Sequence, residues 1–236
     1  MKKYFSVCKL IIRSSIYPVM GVLLGTVIGN FVLFFLNGWG RGDMYEAIFN
    51  ISTVHLGLIM LAVFLASALC RRGGQLTYTM RRLRISDKAV FCFQACYNAL
   101  CFALFFMVQA LSFVGMSLLY LNAHPEAGHQ TLFVTAYQYE VFHVVFPLEN
   151  TLGWLCNGIL MAGLGICTAA YPFRQRRGRR SICTYLMVGI VLLYMVIIAE
   201  EHHLGVTGAV MCIPATLLIG GFCLAGVLGI EEEVDE

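Results

Sequence analysis

The stretch RRGGQLTYTMRRLRISDK, residues 71–88, separates two segments that are almost wholly apolar. It contains six of the sixteen Lys and Arg residues of the 236-residue chain, so it is a polar connector and not part of a membrane span. The flanking segments, 53–70 and 89–121, are each long enough to cross a bilayer, for which a helix needs about 20 residues. This alternation is typical of a polytopic membrane protein.

The composition of the whole chain agrees with that interpretation. Hydrophobic residues make up 59% of it, charged residues only 12%, and the mean hydropathy is +0.79. A soluble domain of this size carries about 25% charged residues. Lys9 and Arg13 interrupt the apolar part of any N-terminal signal peptide, so none is expected to be cleaved. We predict one all-α membrane domain over 1–236 with six transmembrane helices: 19–37, 53–70, 89–121, 148–170, 182–199 and 206–230.

The distribution of positive charge predicts how these helices are oriented. Four Lys and Arg residues lie in the N-terminus, six in the 71–88 connector and five in the 171–181 connector, whereas the opposite side of a six-span topology has Arg41 alone. Short connections rich in Lys and Arg stay in the cytoplasm. We therefore expect a multi-pass protein of the cell membrane with both termini cytoplasmic.

Residues 1–17 are predicted to form an interfacial amphipathic helix. Lys2, Lys9 and Arg13 fall on one face with Ser6, opposite an apolar face, and such a helix rests on a membrane with its cations at the lipid phosphates. Anionic lipid is the expected partner of these three cations. Pro18 is expected to mark a turn into the first span.

A second, shorter amphipathic helix is predicted within the basic connector, over residues 75–84. Gly73-Gly74 is a typical helix end and Ser86 with Asp87 a typical N-cap for the next helix. Between them, Leu76, Met80 and Leu83 are spaced to share one face. Such a helix can rest on anionic lipid or insert its apolar side chains into a groove on a cytoplasmic partner.

Polar side chains within the spans are the candidate pathway residues. Gln94, Asn98 and Gln109 follow one helical stripe of the third span, together with Cys101 and Phe105, and Asn30 lies in the first span. In hydrocarbon these amides must face protein or a wet cavity. Both a structural role and a translocation surface stay open. Gly21, Gly25 and Gly29, spaced for close helix packing, indicate a partner helix within the chain or on a second protomer.

The complete layout resembles the membrane subunit of an ABC-2-type transporter, and the segment TMRRLRISDKAVF, residues 79–91, is similar to the basic connector that leads into the third span of such permeases. The resemblance implies a separate ATPase subunit docked on the 75–84 helix, a homo- or heterodimer of membrane subunits, and export of a substrate. The residues implied to contact the ATPase are Leu76, Tyr78, Met80, Arg81, Arg82 and Leu83. The short 200–205 connector departs from relatives that have re-entrant helices before the last span.

Enzymatic alternatives receive little support from the sequence. No GxxxxGK[ST] phosphate loop, HExxH or GxSxG motif is present, so no catalytic residue, metal or cofactor is expected. The six histidines lie on the predicted outer side or at outer helix ends, and none is central in a span, which disfavours haem ligation. Glu200-Glu201 lacks the further motifs of an intramembrane protease. A substrate-capture subunit, or an accessory or immunity membrane protein, stays open as the non-enzymatic alternative. Nucleic acid is not expected as a partner.

Overall fold

The computed structural model describes residues 2–38, 53–71, 86–125, 151–175, 182–200 and 205–228, and this part of the chain forms six α-helices. Every helix is predominantly apolar, so its exposed surface suits a membrane and not water. The helices are α1 (Lys2–Leu33, continued by a π-helical turn over Phe34–Gly38), α2 (Thr53–Arg71), α3 (Asp87–Ala123), α4 (Thr151–Gln175), α5 (Ile182–Glu200) and α6 (Gly205–Leu228).

The prediction of a helical membrane protein is confirmed. Four helical segments are long and apolar enough to cross a bilayer: Ser6–Leu36, Asp87–Ala123, Thr151–Gln175 and Val210–Val227. In α2 and α5 the apolar stretches Thr53–Ser67 and Ile182–Val196 are shorter. Each of the six helices overlaps one predicted span, although α1 begins at Lys2, well before the predicted start at residue 19, and the number of bilayer crossings stays a prediction.

The predicted turn at Pro18 is wrong, because α1 continues through it as one helix from Lys2 to Leu33. A proline inside a helix removes one backbone hydrogen bond, and neighbouring hydroxyls and helices can compensate for that loss. Pro18 removes the donor to the Ser14 carbonyl, whereas the hydroxyls of Ser14 and Ser15 both donate to the carbonyl of Ile11, at 2.6 and 3.0 Å, one turn earlier. The turns before Pro18 are also fixed from outside, since Val7 and Ile11 are buried against the first turns of α3 and the end of α4.

The fold is organised around α4, which packs on α2, α3, α5 and α6. Its contacts with α3 and α6 are the most extensive in the bundle, while α1 packs on α2 and α3. The central part of α4 is lined with small residues, and Gly163, Gly165 and Ala169 are buried. Small side chains allow neighbouring helices to approach closely, which is how helices associate where no hydrophobic effect drives them together.

Successive helices alternate in direction. The start of α1 meets the start of α3 and the end of α4, where Ile11 and Val90 share a small apolar cluster with Phe173. The end of α4 also meets the start of α5, through Arg174 Nη1 and Cys183 Sγ at 3.0 Å, and the end of α6, where Arg174 lies over Phe222.

One end of the bundle therefore collects the starts of α1, α3 and α5 and the ends of α4 and α6. The end of α2 also lies there, since Ser67 lines a cavity with Tyr171 and Thr184. We call it the basic end, because all Lys and Arg residues of the described helices lie towards it: Lys2, Lys3, Lys9, Arg13, Arg71, Lys88 and Arg174.

The longest element is α3, which runs unbroken for 37 residues, or about 55 Å. This length exceeds the hydrocarbon thickness of about 30 Å, so part of α3 projects from it or α3 is tilted. The predicted N-cap is confirmed: Ser86 Oγ accepts a hydrogen bond from the Ala89 amide, with Asp87 in the first turn. The helix thus begins directly after the 71–88 connector.

Candidate functional site: two buried amide clusters

A polar cluster joins α1 to α3 inside the bundle, and we call it the α1–α3 cluster. Asn30 Nδ2 donates to Gln109 Oε1 at 2.7 Å and to Ser112 Oγ at 3.2 Å. Gln109 Nε2 in turn donates to Thr26 Oγ1 at 2.7 Å. All four side chains are buried, and Asn30 and Gln109 are 0% exposed. The Asn30 and Gln109 amides thus hydrogen-bond to each other across the helix interface.

A second polar cluster, the α3–α4 cluster, joins α3 to α4 closer to the basic end. Gln94 Nε2 donates to Asn98 Oδ1 at 2.8 Å, one helical turn away, and Asn98 Nδ2 donates to Thr168 Oγ1 at 2.9 Å. The Thr168 hydroxyl itself donates a hydrogen bond to the Leu164 carbonyl at 2.6 Å. This directs the hydroxyl oxygen of Thr168 towards Asn98 as an acceptor.

The backbones of α3 and α4 are in contact next to the α3–α4 cluster. A Cβ atom on Gly165 would lie 2.6 Å from the Ala95 carbonyl oxygen and 2.9 Å from the Ala99 nitrogen. Both are backbone atoms of α3, so no side-chain rearrangement could make room for the added Cβ atom. Only glycine fits at this crossing. Because it has no side chain, the two helices lie close enough for Asn98 to reach Thr168 with a hydrogen bond.

A similar close approach lies beside the α1–α3 cluster, on α2. A Cβ atom on Gly57 would meet Thr26 Cγ2, and Phe105 at 2.9 Å. The hydroxyl of this same Thr26 accepts from Gln109, so Gly57 lets α2 cover the cluster from outside. The cluster is therefore enclosed by three helices.

Each cluster retains one amide oxygen that has no protein donor. Among the described residues, no hydrogen-bond donor reaches Asn30 Oδ1 or Gln94 Oε1. A buried acceptor without a hydrogen-bond donor destabilises the fold by about 1–3 kcal/mol.

The four predicted pathway residues are thus found in two separate clusters. The predicted stripe of α3 is confirmed, since Gln94, Asn98 and Gln109 are all buried together with Cys101 and Phe105. Gln94 and Gln109 are fifteen residues apart, about 23 Å along the helix. Their role in a pathway stays a prediction.

Sequence analysis did not identify the hydroxyl partners Thr26, Ser112 and Thr168. The available signal was their helical spacing, because Thr26 and Asn30 are four residues apart on α1, and Ser112 follows Gln109 by three residues on α3. Thr168 had no such signal, since its role depends on which helix lies opposite.

The predicted ATPase-contact residues, Leu76 to Leu83, lie outside the described residues, as do Gly73 and Gly74. The helix ends that flank them, Arg71 and Asp87, both lie at the basic end.

Thiols gather where α4, α5 and α6 meet near the basic end. The Sγ atoms of Cys167 and Cys223 are 3.8 Å apart, and Cys183 Sγ accepts from Arg174. Even so, no three His, Cys, Asp or Glu side chains in the described part of the chain converge to hold a metal ion.

Among the described helices, another helix approaches the glycine row of α1 only at its last glycine. A Cβ atom on Gly21 or Gly25 would meet nothing within 4 Å, and only Gly29 approaches another helix, at 3.4 Å from Thr53 Cγ2. Within the described helices, close packing along this row is thus limited to its last glycine, and the partner of the other two, within the chain or on a second protomer, stays open.

Comparisons with known proteins give no relative for this chain: no family model matches it, and neither does any curated protein or any solved structure. The function is therefore argued from the residues and their arrangement.

Proposed function

We propose that this chain is the membrane-spanning subunit of an ATP-driven transporter of the ABC-2 type, acting as an exporter with a separate ATPase subunit. The observation that carries the proposal is the alternation of the helices, which gathers the ends of both basic connectors and the N-terminus at one end. A bundle of six spans with that end in the cytoplasm satisfies the positive-inside rule for all Lys and Arg residues except Arg41.

The proposed docking site for the ATPase is the 75–84 segment, with Leu76, Met80 and Leu83 as its apolar contacts. The segment leads directly into α3, whose N-cap at Ser86 makes the helix begin at the connector. The neighbouring first turns of α1 are packed on α3 through Val7 and Val90. A push on the connector would therefore be transmitted to α3 as a rigid rod and to the start of α1.

The proposed moving unit is α3 together with α4. We choose this pair because α3 packs far more extensively on α4 than on α2. Moving the pair relative to α1 separates Asn30 from Gln109, which exposes an amide on each side. In this proposal the α1–α3 cluster is the closed state of a polar translocation surface, and the α3–α4 cluster keeps the moving pair together.

Co-purification tests the proposal most simply. Tagged protein extracted from membranes of its own cells should recover a protein that has an ATP-binding cassette. Leu76→Asp combined with Met80→Asp should abolish that recovery, because two charges would replace the proposed apolar contacts. Gln75→Asp combined with Thr79→Asp is the matched control, since it adds the same charge on the same segment beside this stripe.

The outcome separates this proposal from the alternative of a substrate-capture or accessory protein. Recovery of a cassette ATPase that depends on Leu76 and Met80 supports the transporter subunit. Purified wild-type protein without any cassette ATPase would contradict it and favour the alternative.

A further inference from the structure

A cavity of about 330 Å³ lies between α2, α4 and α5, apart from both amide clusters. Small-molecule sites in proteins have volumes of about 300–1,000 Å³ and commonly lie between the helices of bundles. The two helices that flank this cavity, α2 and α5, contact each other only sparsely. The space therefore lies in a lateral gap of the bundle, and α4 forms its floor.

The lining of the cavity changes in character along the helix axes. Towards the middle of the bundle it is aliphatic, with Ile59 on α2 and Leu192 on α5. Towards the basic end it is lined by the more polar residues Ser67, Tyr171 and Thr184. The hydroxyls of Ser67 and Thr184 donate to the carbonyls of Phe64 and Cys167. On each flanking helix the lining residues span nine positions, a rise of about 12 Å, so the cavity is a slot with one polar end and one apolar end.

The slot opens sideways, towards the surface that the bundle presents to lipid. Val63 is 53% exposed and Tyr185 is 65% exposed, one on each flanking helix. Gly189 leaves the wall of α5 open, since a Cβ atom there would meet nothing within 4 Å. A ligand can thus enter from the bilayer without passing through an aqueous channel.

Positive charge lies next to the polar end of the slot. Arg174 donates to Cys183, whose chain neighbour Thr184 lines the slot. All other cations of the described helices lie towards this same end of the bundle. An occupant with an anionic headgroup is therefore favoured over a neutral one, with the headgroup at the basic end.

We propose that the slot between α2, α4 and α5 binds one acyl chain of an anionic lipid, taken from the leaflet at the basic end. The acyl chain lies between Ile59 and Leu192, and the headgroup lies at the basic end of the slot, beyond Ser67 and Thr184 and on the side of Arg174. The site requires no ATPase and is independent of the proposed transport function.

Photolabelling in vesicles tests the site. The protein is reconstituted into phosphatidylcholine vesicles that contain phosphatidylglycerol with a diazirine on one acyl chain, or phosphatidylcholine with the same diazirine chain. After irradiation and digestion, labelled residues are mapped by mass spectrometry. Labels should concentrate in 59–67 and 184–192, and phosphatidylglycerol should label about fivefold more than phosphatidylcholine, the effect of one cation facing an anionic headgroup.

Two variants with a matched control make the test specific. Gly189→Leu should remove most of the labelling, because its side chain fills the slot. Gly221→Leu on α6, where a Cβ atom also meets nothing within 4 Å, should leave the labelling unchanged. Arg174→Gln should reduce the phosphatidylglycerol signal to the phosphatidylcholine level.

Three outcomes would overturn the proposal. Equal labelling of α1, α2 and α5 would show ordinary surrounding lipid, and equal effects of Gly189→Leu and Gly221→Leu would show that the slot is not the binding place. A cross-link between two protomers at this position would make the slot a contact between copies of the chain. An unchanged lipid preference in Arg174→Gln would refute the anionic headgroup.

Discussion

Asn98 donates a hydrogen bond of 2.9 Å from its side-chain amide to the hydroxyl of Thr168, and this bond joins α3 to α4 at the most extensive interface of the bundle. The bond forms where Gly165 brings the two backbones together. A polar contact and a close backbone approach thus occur at the same crossing, each requiring the other.

Gly165→Ala should destabilise the protein, because the new methyl group would lie against two backbone atoms of α3. Overpacking of this kind costs about 1–3 kcal/mol. The measurement is the thermal unfolding midpoint in detergent. Gly158→Ala is the control on the same helix, where a Cβ atom meets nothing within 4 Å, and it should be neutral or slightly stabilising. Equal midpoints for the two variants would show that α3 and α4 are not this close.

Asn30 and Gln109 should be energetically coupled in a double-mutant cycle. Polar contacts between membrane helices average about 0.6 kcal/mol and reach about 1.7 kcal/mol, and this pair is buried with a 2.7 Å bond. The free energy of unfolding is measured for Asn30→Ala, Gln109→Ala and the double variant. Asn30 with Asn98, which belong to different clusters, is the control pair and should be additive within error. Additivity of Asn30 with Gln109 would contradict their hydrogen bond.

Cys167 and Cys223 should form a disulfide on oxidation with copper phenanthroline, because their Sγ atoms are 3.8 Å apart. The experiment uses a variant that keeps only these two cysteines and has a protease site inserted between residues 201 and 204. Cross-linked fragments should stay together on a non-reducing gel after cleavage. A variant that keeps Cys167 with Cys212, which lies three turns away from Cys223 on α6, should separate. Efficient cross-linking of the control pair, or none of the first, would show a different register of α4 on α6.

The sequence predicted the class of the fold, since apolar composition indicated a helical membrane protein and the stripe of α3 located its buried face. Helix ends were predictable where a cap is local, as at Ser86. The course of α1 through Pro18 was not, because it depends on the packing of Val7 and Ile11 on other helices.

The hydrogen-bond partners of the candidate residues could not be predicted from the sequence either. Gln94, Asn98 and Gln109 were identified as buried amides, but their division into two clusters depends on which helices are neighbours. Gly165 decides the closest of those contacts, and nothing in its local sequence distinguishes it from the exposed Gly158 on the same helix.

The most direct test of the account is the sidedness of the basic connectors. In a cysteine-free protein, Gly73→Cys, Gly178→Cys and Gly128→Cys are introduced one at a time, and intact cells are treated with a membrane-impermeant maleimide. We expect Gly128→Cys to react at once, and Gly73→Cys and Gly178→Cys to react only after the cells are permeabilised. Reaction of Gly73→Cys or Gly178→Cys in intact cells would contradict the cytoplasmic basic end and, with it, the docking of an ATPase there.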